Sequence, residues 1–208
     1  MLQNHDQKIG TILLAAGSSS RMGKSKQWLL VEREPLLLRS AKAALAAGAG
    51  KVFVVLGANE KSHRDIIKEL PVELVHNENW QKGMGNSLKA GLNHVLKMAP
   101  ETEAVIIMVC DQPRITGDHL KNLIQKYTET RSKIVASTYS GAVGVPALFD
   151  KSLFPELFDV EDGMGAKKVL INHQVSIVTI DFKGGEIDLD TPGDYKNFIQ
   201  ESTADSND

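Results

Sequence analysis

Residues 9–27 read IGTILLAAGSSSRMGKSKQ, an apolar run that breaks into a loop of small residues carrying three cations. Its first part, Ile9–Ala16, has the continuous apolar character of a strand covered on both faces. Ala15, Ala16 and Gly17 then offer almost no side chain, so a ligand could lie against the backbone and meet its N–H groups. Arg21 and Lys26 would add positive charge, Arg as a bidentate grip on oxygens and Lys as a mobile point charge. That combination suits several phosphate charges. Taken by itself, it suits a solvated surface turn equally well. It is not a P-loop, because five residues separate Gly17 from Gly23 where that pattern has four.

Working outward, similar apolar runs recur at Lys51–Gly57, Ala104–Cys110 and Lys133–Thr138, with a shorter one at Val72–Asn77 and a late one at Val175–Asp181. Segments of helical period lie between and after them: Pro35–Gly48, Lys61–Leu70, Met84–Lys97, Thr116–Thr130, Ala166–Asn172 and Pro192–Gln200. Thr116 and Thr191 stand where N-caps are wanted, and Gly48 is a good stop. Strand and helix in this rhythm predict an α/β fold of three layers, α/β/α, with a mainly parallel central sheet. One domain over residues 1–208 is expected, with about 1–7 and 201–208 as frayed ends. Ligands of such sheets bind beyond the carboxyl ends of the strands.

Bulk properties narrow the function. An apolar fraction of 42%, a charged fraction of 24% and a formal net charge of -2 are those of an ordinary globular protein and lack the basic footprint of nucleic-acid binding. Cys110 is the only cysteine, so no internal disulfide and no cysteine-based metal cage can form, which favours a reducing compartment. No run has the length of a membrane span or of a signal-peptide core, so neither a membrane nor export is expected and cytoplasmic is the default.

Other constellations fall at strand ends. Asp111, in MVCDQP, follows a strand too apolar to be an edge; a carboxylate there suits Mg²⁺, or it caps the turn begun by Pro113. In EIDLDTPGDY, Asp190 could be a solvated cap-region acid and Asp188 the outward partner of an alternating strand; if the segment approaches Asp111, two carboxylates would hold one divalent ion. In NENWQKGMGNSLKAGL, a strand end at Asn77 leads through Gly83 to a helix carrying Ser87, with Trp80 and Met84 as core or as an apolar wall. Neither GMG continues into a dinucleotide fingerprint, the six histidines show no ligand spacing, and Ser18–Ser20 lack a nucleophile elbow.

Together these residues resemble the nucleotidyltransferase family that includes molybdenum cofactor cytidylyltransferase and its guanylyltransferase relatives. The signature L-A-A/G-G-x-S-x-R-M-G-x-x-K is matched from Leu14 to Lys26, and GMGNSLKAGL, CDQP, GVPALF, DGMGAKKVL and DLDTPGDY follow in the family's order over most of the chain. The resemblance implies a Rossmann-like fold of the nucleotide-diphospho-sugar transferase type. It implies that Leu14, Ala15, Ala16, Gly17 and Ser18 cradle a nucleoside triphosphate, with Arg21 and Lys26 as cations. Asn77, Gly83, Met84 and Ser87 would contact base and ribose, Asp111 and Asp190 would hold Mg²⁺, and Gly144, Pro146 and Gly165 would shape the second pocket. Lys26, Arg21 and Asp111 would be the catalytic set.

Where the guanylyl branch resembles LAGG, this chain has LAAG, and a methyl at Ala16 would crowd a purine more than a pyrimidine. CTP is therefore the expected nucleotide. The acceptor would be a phosphomonoester of molybdopterin type, with CMP transferred, pyrophosphate released and a molybdoenzyme as recipient of the product. A phosphomonoester is mostly dianionic at neutral pH, so no general base is needed. Rival readings are a GTP-using guanylyltransferase, a sugar-phosphate nucleotidyltransferase, and a non-catalytic module that handles a cofactor for a partner.

Overall fold

β1 (Ile9–Leu14) is buried along its whole length because both of its edges and both of its faces are covered. It pairs in parallel with β4 (Val52–Leu56) on one side and with β6 (Ala104–Val109) on the other, with Leu14 opposite Val55 and Val109. These three runs carry alternate residues into two separate apolar clusters. Leu13, Val54 and Ile106 face one, Ile12, Val55 and Ile107 the other. A strand sharing two cores is apolar at nearly every position, Thr11 being the polar exception in these three, which is why these stretches were legible as strands.

A computed structural model describes residues 8–204. The remaining strands of the main sheet are β5 (Glu73–His76), β7 (Ile134–Tyr139), β8 (Ala142–Asp150) and β9 (Val178–Asp181), in the order β5-β4-β1-β6-β8-β7-β9. Two short strands, β2 (Leu30–Val31) and β3 (Glu34–Pro35), form a separate hairpin. One face of the sheet packs α1 (Leu36–Ala46), α2 (Glu60–Ile67), α4 (Gly117–Thr130) and α7 (Pro192–Ala204), through residues such as Leu37, Ile67, Leu123 and Phe198. The opposite face packs α3 (Met84–Met98), α5 (Phe154–Phe158) and α6 (Lys167–Asn172), through Leu88, Leu157 and Val169. The architecture is three-layered and mostly parallel.

Several boundaries differ from the sequence reading. β8 runs antiparallel to β6 and β7 and was read only as a pocket segment, because Gly144 and Pro146 are poor strand residues. The ladder with β7 shifts register there: Ala136 pairs with Ala147, but Ser137 pairs with Gly144. Pro146, which cannot donate to a ladder, sits in that irregularity. β9 begins at Val178 rather than Val175, which is 97% exposed in the preceding turn. α7 extends to Ala204, past the expected end at Gln200, while the expected frayed residues 1–7 and 205–208 lie outside the described residues. The predicted caps are present: Thr116 Oγ1 accepts from His119 N, and Thr191 Oγ1 from Asp194 N. No described helix is long and apolar enough to cross a membrane.

From β1 the chain moves outward to β4 and β5, then returns across the sheet through α3 to β6 on the far side of β1. The strand order therefore reverses between β1 and β6. A crevice opens at such a switch point, at the carboxyl ends of the two strands. Ala15 and Asp111 lie at those ends.

Candidate active site

The segment after β1 folds back on itself through one glutamine. Gln27 is 1% exposed; its Nε2 donates to Ala15 O (2.9 Å) and Gly17 O (3.1 Å). Its Oε1 accepts from Ser25 Oγ (2.7 Å) and more weakly from Ser19 Oγ (3.3 Å). Ser19, in the left-handed region at φ 57°, accepts from Lys26 N at 3.0 Å. The N–H groups of Gly17 and Ser18 meet no acceptor among the described residues. They remain available to a ligand.

Lys26 emerges from this loop between two carboxylates. Its Nζ donates to Asp111 Oδ2 at 2.6 Å and to Asp190 Oδ1 at 3.0 Å, and Arg21 Nη2 donates to Asp190 Oδ2 at 2.7 Å. Burial alone would lower the Lys26 pKa, but Asp111 and then Asp190 hold its ammonium above the ordinary lysine value. Leu189 N donates to Asp111 O at 3.0 Å, fastening the two aspartate-bearing segments together. Asp188 is exposed at its rim, yet partial desolvation raises its carboxyl to about 6, and the negative charges of Asp111 and Asp190 add to this.

Beside this cluster lies a cavity of about 270 Å³, lined by Leu14, Ala15, Ala16, Gly17, Ser18, Lys26 and Asp111 from the first two constellations and by Gly83, Met84 and Ser87 from a third. Gln27, Trp80, Gln81, Val109 and Cys110 complete the wall; Trp80 could from sequence have been core or an apolar wall, and the other four were not anticipated as site residues. Gln27 carried a faint signal, a polar residue directly before an apolar run. Cys110 is buried in this wall, where burial first and Asp111 second push its thiol up to about 12 and so favour the protonated form.

The other anticipated residues stand around this wall. Asn77 is buried behind it, donating from Nδ2 to Ser87 Oγ at 3.0 Å while accepting from Asn79 N, so it supports Ser87 and does not line the cavity. Arg21 and Asp190 sit at the rim, outside the lining. Gly165 packs against Met84, where a Cβ would come within 2.6 Å of its Sδ. Gly144 and Pro146 lie in β8 beyond the cavity lining; the Pro146 carbonyl accepts from Ser137 Oγ, and a Cβ at Gly144 would strike Tyr139 Oη. Gln112 Nε2 ties this stretch to the segment before Asp190, through Val145 O at 3.1 Å and Gly185 O at 2.9 Å.

The chain matches the MobA-like NTP transferase domain over residues 11–177. It belongs to that family. Asp190 lies beyond the matched stretch, although it touches two residues within it. Among similar proteins, the purine catabolism protein PucB of Bacillus subtilis (strain 168) is 28% identical over 195 residues, covering 88% of this chain and 92% of that one. Molybdenum cofactor cytidylyltransferase of Escherichia coli (strain K12) is 25% identical over 187 residues, covering 90% and 93%. Nicotine blue oxidoreductase of Paenarthrobacter nicotinovorans is 29% identical, covering 86% and 91%. Rv0371c from Mycobacterium tuberculosis H37Rv superposes with a TM-score of 0.78 at 25% identity, over 92% of this chain and 97% of that one. Relatives of this MobA-like domain thus carry differing names, and the individual reaction must be argued from the site.

Proposed function

We propose that this MobA-like protein transfers CMP from CTP to the phosphate of a molybdopterin-type acceptor, releasing pyrophosphate. The reading rests chiefly on Lys26 standing between Asp111 and Asp190 at the edge of a cavity lined by Leu14–Ser18. Two carboxylates already bracketing one cationic group suit Mg²⁺, which takes one or two carboxylates and completes its shell with water and phosphate oxygens. Among the described residues no group of three or more His, Cys, Asp or Glu could hold a metal alone, which fits an ion shared with a substrate. Asp111 and Asp190 would hold it, and when bound it would neutralise charge on the triphosphate.

The acceptor's dianionic phosphate oxygen forms a bond to the α-phosphorus, and the bond from that phosphorus to the bridging oxygen breaks, leaving pyrophosphate. The nucleophile arrives already deprotonated, so no side chain need take a proton. The protein's task is to bring anions together and to stabilise the charge gathered on the leaving group. Lys26, Arg21 and the free N–H groups of Gly17 and Ser18 are the donors for that task. CTP is favoured because the Ala16 methyl stands in the cavity wall, taking space from a purine, and because the Escherichia coli relative covered nearly end to end is named a cytidylyltransferase. A pyrophosphate-release assay with CTP, GTP, ATP and UTP, Mg²⁺ and a panel of phosphomonoesters tests it. Release with CTP and a molybdopterin-type acceptor is expected. Preference for a purine nucleotide would overturn the CTP assignment, and turnover only with sugar phosphates the acceptor.

A further inference from the structure

Two carboxylates hold the Lys26 ammonium, but the loop that carries this lysine is held by groups that bear no charge. Gln27 uses all four of its hydrogen-bonding positions, two carbonyls on Nε2 and two hydroxyls on Oε1, within a buried site. This full occupancy fixes the amide orientation, since turning it over would set Oε1 against the carbonyls of Ala15 and Gly17. Ser25 has one proton, and at 2.7 Å from Gln27 Oε1 that proton is spent on the glutamine. Ser25 Oγ also lies 2.6 Å from His63 Nε2, so the imidazole must supply the proton of that bond. His63, on α2, is 0% exposed, and its Nδ1 has no partner among the described residues. A neutral ring with the proton on Nε2 satisfies every one of these contacts except at Nδ1.

We propose that His63 and Gln27 are positioning residues for the nucleotide site: a relay from His63 Nε2–H through the Ser25 hydroxyl to Gln27 holds the loop so that the Gly17 and Ser18 N–H groups and Lys26 face the triphosphate. The proposal rests on the nucleotide reading of that loop. His63 and Ser25 stand outside the cavity lining, while Gln27 belongs to its wall with all of its polar positions already taken by protein. The relay's role is to turn Ala15 O and Gly17 O away from an anion, where an unheld carbonyl would repel phosphate. Oriented backbone donors of this kind act by being fixed before the ligand arrives.

Hydrogen–deuterium exchange on the full chain without ligand, for wild type, His63→Leu and His63→Gln, tests the relay apart from function. The loss of the His63 donor in His63→Leu should speed exchange of the hydrogen-bonded loop amides of Met22, Gly23 and Lys26 about ten-fold while those of β1 and β6 keep their protection. His63→Gln carries an amide donor and should restore the wild-type pattern. Unchanged loop exchange in His63→Leu overturns the proposal, and so does failure of His63→Gln to restore it. Titration with CTP and Mg²⁺ then separates the two readings. His63→Leu should raise the KM for nucleotide about ten-fold with kcat nearly kept, and His63→Gln should return it to within about two-fold. An unchanged KM in His63→Leu overturns the positioning role. Absence of nucleotide binding in wild type defeats the nucleotide reading instead, and the exchange result still decides the relay.

Discussion

Two glycine-bearing segments border the crevice, and they use the missing side chain for opposite ends. In the loop after β1, a Cβ added at Gly17 would meet nothing within 4 Å, and the N–H groups of Gly17 and Ser18 have no acceptor among the described residues. At the start of α3, a Cβ at Gly83 would come within 2.5 Å of Asp162 O, and one at Gly85 within 2.2 Å of Glu161 O. There the first turn of the helix is occupied by protein: Gly85 N donates to Asp162 O at 2.8 Å, and the Asp162 carboxylate pairs with Lys89 at 2.9 Å. The first segment keeps space and donors open for a ligand. The second spends both on packing one chain segment against another. A glycine motif alone does not say which of these it serves.

The largest expected effect lies on the open side. Lys26→Ala should cut pyrophosphate release about 10²–10³-fold, while thermal unfolding shows that the fold survives. A folded variant at near-normal rate would remove the role assigned to this lysine. On the packed side, Gly85→Ala should destabilise the chain by about 1–3 kcal/mol, read as a lower Tm, because the atoms it meets are backbone and cannot step aside. Gly17→Ala should leave Tm unchanged within about 0.5 kcal/mol yet weaken CTP binding about ten-fold, visible as a smaller nucleotide-induced rise in Tm. If both alanine variants lost stability alike, the contrast between the segments would fall.

The smallest effect concerns acid. Burial lowers the pKa of His63 beneath the loop and of His119, which stacks on Phe182 at 4.4 Å beneath the segment leading to Asp190. Each folded-state pKa is below the unfolded value of about 6.5. Their stabilising contribution is therefore fully present above that value and is lost as pH falls through it toward the folded pKa. Urea unfolding at pH 7.5 and pH 5.5 should show this as a lower midpoint at the acid end. Asp188, raised to about 6, acts in the opposite sense, so the comparison of wild type with His63→Gln isolates the imidazole. A pH response unchanged by His63→Gln would show that His63 carries no such cost.

Legibility followed physical demand. β1, β4 and β6 serve two cores at once, and such a strand leaves a nearly continuous apolar signal in sequence. β8 did not, since its antiparallel pairing tolerates a break where Gly144 and Pro146 fall, and neither residue carries a strand signal. Lys26, Asp111 and Asp190 could be named as candidates, but their convergence came from a resemblance, because no spacing predicts that Leu189 N meets Asp111 O. Gln27 bears no charge and stands beside a lysine that does, so little in the sequence marks it. Its neutral amide binds two carbonyls and two hydroxyls and leaves almost no surface, so its demand appears only in three dimensions.

The link from Lys26 to Asp190 spans 164 residues. During synthesis every strand of the main sheet leaves the ribosome before that second carboxylate does, since β9 ends at Asp181. A polypeptide clipped just after β9 would retain the strands of the main sheet but hold its lysine against Asp111 alone, so the charged centre closes only after the sheet has been laid down.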